Sequence, residues 1–178
     1  RQIDGLMRGF QLWINLPARE KMSDPAYQEF TAEAIPEVAQ DGARVRVLAG
    51  EFGGSPGVID DPATEVRYLD VTLLPGACFG LPLNDTHNAF VYVFEGGVKL
   101  AGEALAQHTL AVLGKGERIE IEAGEAGARF ILVAGRPIGE PVVQYGPFVM
   151  NTREEIEQAF ADYRDGKLVR TRAAMTGH

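Results

Sequence analysis

The sequence predicts an all-β sandwich or barrel that ends in one α-helix. Short apolar runs recur between glycine- or proline-bearing turns from residue 43 to residue 134, as they do in antiparallel β proteins. The 21 glycines among the 178 residues are consistent with many turns. One amphipathic pattern of helical period follows near the C-terminus.

The first segment, residues 1–41, is predicted to be a strand followed by a linker. Residues 9–15 alternate between two faces, which predicts a half-buried strand closed by Pro17. Phe10 and Trp13 lie on opposite faces of this strand, so at least one should contact something outside its own domain. Residues 18–41 are polar and contain two prolines, and we expect one short strand there, near residues 27–30.

Residues 42–150 carry the main β pattern. Strands are predicted at residues 45–49, 66–74, 90–94, 98–100, 109–113, 119–121 and 130–134. Ile119 and Ile121 alternate with charged residues, which predicts one wet face. Residues 90–94 and 130–134 are apolar throughout, so both runs should pass through the core.

A helix is predicted over residues 151–166. Asn151 can cap its first turn, Glu154 follows three residues later, and Gly166 supplies the stop. Residues 167–178, including His178, are expected to form a loose tail.

Composition excludes several classes of function. The 17 basic and 25 acidic residues give a net charge of −8, which disfavours a nucleic-acid partner. The single cysteine, Cys78, allows neither an intramolecular disulfide nor a multi-cysteine zinc site. No stretch approaches the ~20 apolar residues that span a bilayer, and no signal pattern opens the chain. We therefore expect a cytoplasmic protein with no membrane partner.

Four features could carry chemistry, and each has a simpler explanation. His87 and His108 are the weak candidates for a metal or acid/base pair, but loop or surface positions are commoner. Cys78 is either an exposed thiol or, more often for such a residue, a small core side chain. The glycine-rich residues 50–57 lack the ending of a phosphate-binding loop and predict a turn. An acidic cluster could attract a cation or a basic protein, although such a run is usually a solvated face; it consists of Glu117, Glu120, Glu122 and Glu125.

The turns LPG at residues 74–76, EGG at 95–97 and GKG at 114–116 make the chain similar to a cupin, a double-stranded β-helix barrel with two short metal motifs. Gly76 and Gly96 match the ends of the first motif. Between them, residues 82–84 (PLN) replace His-x-His, and Asn88 or Ala89 replaces the glutamate.

The second cupin motif also lacks its ligand. Gly116 and Gly124 match its glycines, Glu122 replaces its proline and Gly127 its histidine. Because imidazole and carboxylate groups hold the metal in such barrels, we expect no metal and no other cofactor in this chain.

Two longer runs resemble the pirin family: GFQLWINLP at residues 9–17 and EPVVQYGPFVMNT at residues 140–152. The resemblance extends over essentially the whole chain, with LGKG at residues 113–116 and the helix in the expected order. It implies a bicupin whose N-terminal barrel holds one iron-like divalent metal, through residues upstream of this chain. It also implies a quercetin-degrading dioxygenase activity and, in some members, transcriptional co-regulation through protein partners.

Three hypotheses remain open. The first is a C-terminal cupin half with a scaffold and interface role and no catalytic residue or metal site of its own. The second is a fragment of a metal-dependent quercetin 2,3-dioxygenase-like enzyme. The third is a regulatory cupin whose emptied barrel binds a small apolar ligand or a protein. Expected partners are the N-terminal cupin half, another protein or a second copy of the chain.

Overall fold

The computed structural model describes residues 9–171 and 173–176. These residues are mainly β strand with one α-helix, as predicted. The strands are β1 (Ala26–Gln28), β2 (Glu37–Gln40), β3 (Ala43–Ala49), β4 (Glu51–Phe52), β5 (Ser55–Pro56), β6 (Arg67–Leu73), β7 (Cys78–Pro82), β8 (Asn88–Leu100), β9 (Glu103–Leu105), β10 (Thr109–Val112), β11 (Arg118–Gly135), β12 (Val143–Tyr145), β13 (Phe148–Met150) and β14 (Ala174–Thr176). The helix α1 spans Arg153–Arg164.

The chain divides into two compact units. The sandwich unit contains residues 25–139 together with residues 171 and 173–176. The terminal unit contains residues 9–24 and 140–170.

Two long bent strands, β8 and β11, build both layers of the sandwich unit. Their first layer has the strand order β10-β8-β11-β6-β3-β2. In the second layer, the start of β11 pairs with β7 and with the end of β8, which in turn pairs with β9. The bend lies at Gly96 and at a register shift between Ala123 and Ala128. Because these strands turn from one layer into the other, they enclose a single core.

The core of the sandwich unit consists of alternate residues from both layers. Its largest fully buried side chains are Phe130, Leu69, Ile121, Leu132, Val45, Val47, Val71, Val91 and Val93. The rings of Phe79 and Phe130 meet edge to face with centroids 5.8 Å apart, across the space between the layers. Burial of each such side chain contributes about 1.5–3 kcal/mol.

The burial predicted for residues 119–121 and 130–134 is confirmed, and the burial predicted for residues 90–94 is corrected. Ile119 and Ile121 are buried between exposed neighbours, and residues 130–134 are buried throughout. In residues 90–94, however, only Val91 and Val93 are buried. The alternate side chains point to the other face and are half-buried: Phe90, Tyr92 and Phe94. This face is only partly covered because β8 lies next to the edge strand β10.

The N-cap of helix α1 lies one residue later than predicted, and the helix, Arg153–Arg164, is shorter than the predicted residues 151–166. Thr152 is the N-cap: its Oγ1 accepts from the backbone N–H of Glu155, whose carboxylate accepts in return from the N–H of Thr152. The side-chain amide of Asn151 instead donates to Glu140 and to the carbonyl of Pro141. Gly166, with φ of +69°, lies just beyond the helix, as predicted.

The predicted strand at residues 9–15 is wrong. Residues 9–17 take part in no β ladder within the described ranges, and a short 3-10 helix, Ala18–Glu20, follows them. Alternation indicates a strand only where a partner strand is available, and here both faces stay open: Phe10 is 46% and Trp13 70% exposed.

Residues 174–176 pair in parallel with β1, opposite Ala26, Tyr27 and Gln28. This ladder confirms a short strand close to the predicted residues 27–30, and it differs from the loose tail expected for residues 167–178. His178 lies outside the described residues. No helix of the described part is long and apolar enough to cross a membrane.

Candidate functional site

The first-motif positions lie in a tight turn after β7. Pro82 ends the strand, and the side-chain oxygen of Asn84 accepts from the backbone N–H of Thr86 at 3.0 Å and from its hydroxyl at 2.8 Å. Asn84 and Asn88 are both exposed. The Asn84 carboxamide therefore shapes a turn at the surface, and neither asparagine side chain is buried in the interior.

The second-motif positions do not meet the first. In the β7–β11 ladder, Pro82 lies opposite Arg118 and Cys78 opposite Glu122. Gly127 comes later on β11, so it lies beyond the opposite end of β7 from Pro82, roughly 15 Å away or more. A Cβ on Gly127 would lie 2.7 Å from the carbonyl oxygen of Leu73, which leaves no room for a histidine. The strand pairing therefore shows that Gly127 does not lie at a position equivalent to the metal-binding histidine of the second motif.

Apolar side chains occupy the interior beside the first-motif positions. Leu81 and Ile119 are ladder partners, as are Phe79 and Ile121, and all four are buried. No group of three or more histidine, cysteine, aspartate or glutamate side chains that could hold a metal occurs among the described residues. The residues of this interior do not fit an iron-like cation, which requires imidazole or carboxylate ligands.

His87 lies in a small charged cluster. Its side chain is only 12% exposed, and its Nε2 lies 3.4 Å from a carboxylate oxygen of Glu65 without the geometry of a hydrogen bond. The other carboxylate oxygen lies 3.3 Å from Arg136, whose guanidinium also donates to the carbonyl of Ala63. Glu65 has φ of +50°, a strained conformation for a residue other than glycine. This cluster ties the 61–65 turn to the end of β11.

His108 is exposed and stands apart from His87. Its backbone N–H donates to the carbonyl of Val93, whereas His87 precedes the first residue of β8. Six residues of extended chain separate the two places, or roughly 20 Å. The structure does not bring the two histidines together.

Cys78 is exposed, so its assignment to the core is wrong. On β7 the buried positions are Phe79 and Leu81, and the period of two places Cys78 on the other face. Residues 50–57 form the β4–β5 hairpin, which confirms the turn. The four glutamates of the acidic cluster are all exposed, as expected of a solvated face.

A bidentate ion pair crosses the outer face of the first layer. Nε and Nη2 of Arg129 donate to the two carboxylate oxygens of Asp70 at 3.1 and 2.7 Å, and the guanidinium lies 5.1 Å from the ring centre of Phe94. The hydrogen bond to Asp70 raises the pKa of Arg129. Burial, followed by the charge of Asp70, raises the pKa of Tyr68. We assign Asp70 and Arg129 a structural role because their side chains pair with each other.

An open cavity of about 1110 Å³ lies in the sandwich unit among β7, β9, β10 and the ends of β8 and β11 that form the second layer. Its apolar lining includes Leu83, Leu100, Leu105, Leu113, Ile119 and Ile121. Its charged lining consists of Lys99, Glu103, Lys115, Arg118, Glu120 and Glu122. The third hypothesis above anticipated such a cavity, but the residues that line it were not predicted, because Gly80 and Pro82 obscured the alternation of Phe79 and Leu81.

Comparison with known proteins identifies the family. The family described as Pirin C-terminal cupin domain matches residues 68–169. A pirin-like protein of Caulobacter vibrioides is 47% identical over 93% of this chain and 60% of its own length. Human Pirin is 42% identical over 89% of this chain and 56% of its own length.

A solved structure identifies the fold and agrees with this family assignment. The crystal structure of quercetin 2,3-dioxygenase from Acinetobacter baumannii superposes with a TM-score of 0.80 and 34% identity, over 88% of this chain and 55% of that one. The fold is therefore that of a cupin. The chain spans about three-fifths or less of the length of these relatives. With its C-terminal cupin domain at residues 68–169, this chain belongs to the pirin family.

Proposed function

We propose that this chain is a cupin half that serves as scaffold and interface and holds no catalytic metal. The observation that carries the proposal is the apolar interior: Leu81, Ile119 and Ile121 lie beside the positions where the first cupin motif places its histidines. A divalent cation there would lose its water and gain no ligand.

Exposed apolar side chains support the interface role. In the sandwich unit, Val112 on the edge strand β10 is 79% exposed, and in the terminal unit Trp13 is 70% exposed. An edge strand with apolar side chains can pair with another chain. The partners that we propose are an N-terminal cupin half, a regulatory protein or a second copy. The cytoplasm remains the proposed compartment, since a single exposed cysteine needs no oxidising environment.

Thermal unfolding in the presence of metals tests this proposal. A ligand that binds only the folded state raises the unfolding temperature, by mass action. We expect Fe²⁺, Mn²⁺, Ni²⁺ and Zn²⁺, each in excess, to leave the midpoint of the EDTA-treated chain unchanged. A saturable increase with any one of them would overturn the proposal.

A second candidate is that the chain belongs to a complete quercetin 2,3-dioxygenase-type enzyme. It is favoured by the 34% identity with the Acinetobacter enzyme, of which this chain covers 55%. Two observations would discriminate: whether the encoding reading frame continues upstream through a His-x-His segment, and whether that longer protein consumes O₂ with quercetin. The 178-residue chain alone should show only the blank rate in the same assay.

A further inference from the structure

We propose that the open cavity of the sandwich unit binds an uncharged, mainly apolar small molecule, without the help of a metal. This proposal goes beyond a scaffold role, and it depends on the shape, lining and charge of the cavity.

The apolar part of the lining consists of buried and half-buried side chains. Ile119 and Ile121 are buried, while Leu100, Leu105 and Leu113 are half-buried and pack against the core. The half-buried leucines keep part of their apolar surface in contact with water. A ligand that covers this surface is stabilised by the hydrophobic effect.

The volume is large enough for a ligand of two or three fused rings. Sites for drug-sized molecules measure about 300–1,000 Å³. The cavity, at about 1110 Å³, lies just above this range, and it is open to solvent. A ligand can therefore enter without displacing a strand.

The charges around the cavity balance, which favours an uncharged ligand. Nε of Arg118 lies 2.8 Å from a carboxylate oxygen of Glu120, and Lys99 is the ladder partner of Glu122. The two remaining charged side chains, Lys115 and Glu103, have opposite signs. The formal charges of the lining therefore cancel, and placing an ion against the leucines would cost desolvation energy.

Two fluorescent probes that differ in charge test the proposal. N-phenyl-1-naphthylamine is neutral, and 8-anilinonaphthalene-1-sulfonate carries a sulfonate on the same ring system. Titrated into the full 178-residue chain, the neutral probe should bind saturably with a stoichiometry of one. It should bind about tenfold or more tightly than the sulfonate, because the sulfonate must be desolvated.

A matched pair of variants places the probe in the cavity. Ala111 lies on the inner face of β10 opposite Val91 and lines the cavity, whereas its neighbour Leu110 points to the outer face. Ala111→Trp should weaken the neutral probe about tenfold by occupying its space, and Leu110→Trp should change it by less than about twofold. If Ala111→Trp does not fold by circular dichroism, Leu105→Trp replaces it.

Three results would overturn the proposal. The first is the absence of saturable binding of the neutral probe. The second is equal or tighter binding of the sulfonate probe. The third is equal binding to the folded cavity variant and to Leu110→Trp, since the probe would then lie elsewhere on the protein.

Discussion

Glycines at the bend of β8 and β11 show how single residues determine the shape of the sandwich unit. A Cβ on Gly96 would lie 2.1 Å from the carbonyl oxygen of Gly127, which is closer than atoms can approach. Gly96 also has φ of +67°, which side chains disfavour. The two long strands can cross from one layer to the other because neither residue carries a side chain.

Gly96→Ala should therefore destabilise the chain by about 3–4 kcal/mol, the sum of the left-handed strain and the overlap. Gly102→Ala is the matched control, because Gly102 has φ of +86° but open space around its Cβ position. Gly102→Ala should lower the free energy of unfolding by only about 1 kcal/mol. Urea unfolding measures both, and equal losses would show that the close approach does not matter.

Asp70 and Arg129 form the best-defined ion pair of the described residues. Asp70→Asn removes the charge of a carboxylate that is only 17% exposed and that accepts two hydrogen bonds from Arg129, so we expect a loss of about 1–3 kcal/mol. Glu120→Gln breaks the exposed Arg118 pair and should change stability by less than about 0.5 kcal/mol. If the two substitutions change the free energy of unfolding equally, partial burial does not make the Asp70–Arg129 pair more stabilising than an exposed pair.

Tyr68 should make stability depend on pH in the alkaline range. Its pKa is raised above the ordinary value of 10.0, so the folded state keeps the phenolic proton at a pH where the unfolded chain releases it. The corresponding stability is complete below pH 10 and is lost as the pH rises through the folded-state pKa. Tyr68→Phe should therefore lose less unfolding free energy than the wild type between pH 8 and pH 11, and an identical loss would contradict this assignment.

At the scale of secondary structure, strand positions could be predicted where apolar residues form unbroken or alternating runs. The predicted residues 45–49 and 109–113 correspond to β3 and β10. β7 was missed because glycine and proline follow its buried phenylalanine and leucine. The run at residues 9–15 has the pattern of a strand without a strand to pair with, and pairing is a tertiary property that periodicity does not contain.

Helix α1 offers a direct test of its cap. Thr152→Ala removes the hydroxyl that accepts from the N–H of Glu155, and should cost about 1 kcal/mol of helix stability. Thr152→Ser keeps the hydroxyl and should stay within a few tenths of a kcal/mol of the wild type. Hydrogen exchange of the first-turn amides measures the difference. If Thr152→Ala exchanges like Thr152→Ser, the helix does not depend on the capping box.

Glu140 shows how the terminal unit joins two distant parts of the sequence. One of its carboxylate oxygens accepts from the N–H of Ala18 at 2.7 Å and from the side-chain amide of Asn151 at 2.9 Å. The first run that resembles the pirin family therefore ends beside this carboxylate, and the second run, residues 140–152, contains both Glu140 and Asn151. The sequence contained the two runs, but only the fold shows that they meet.

At the scale of the whole molecule, the lost first-motif ligands could be recognised from the sequence, but the replacement could not. Residues 82–84 and Asn88 stand where the motif requires ligands. Which side chains fill the interior depends on the β7–β11 ladder, and this register places Leu81 opposite Ile119. The alignment with Gly127 failed because glycine spacing alone does not determine which strand positions face one another.

Elemental analysis of the purified chain tests the central claim most directly. The 178-residue chain is incubated with Fe²⁺, Mn²⁺, Ni²⁺ or Zn²⁺, desalted, and its metal measured per mole of protein by mass spectrometry. We expect less than about a tenth of an equivalent of each, since a protein site needs several imidazole, thiolate or carboxylate ligands. Near-stoichiometric metal that is lost in His87→Gln or His108→Gln would contradict the account and would show that this cupin half holds a metal site of its own.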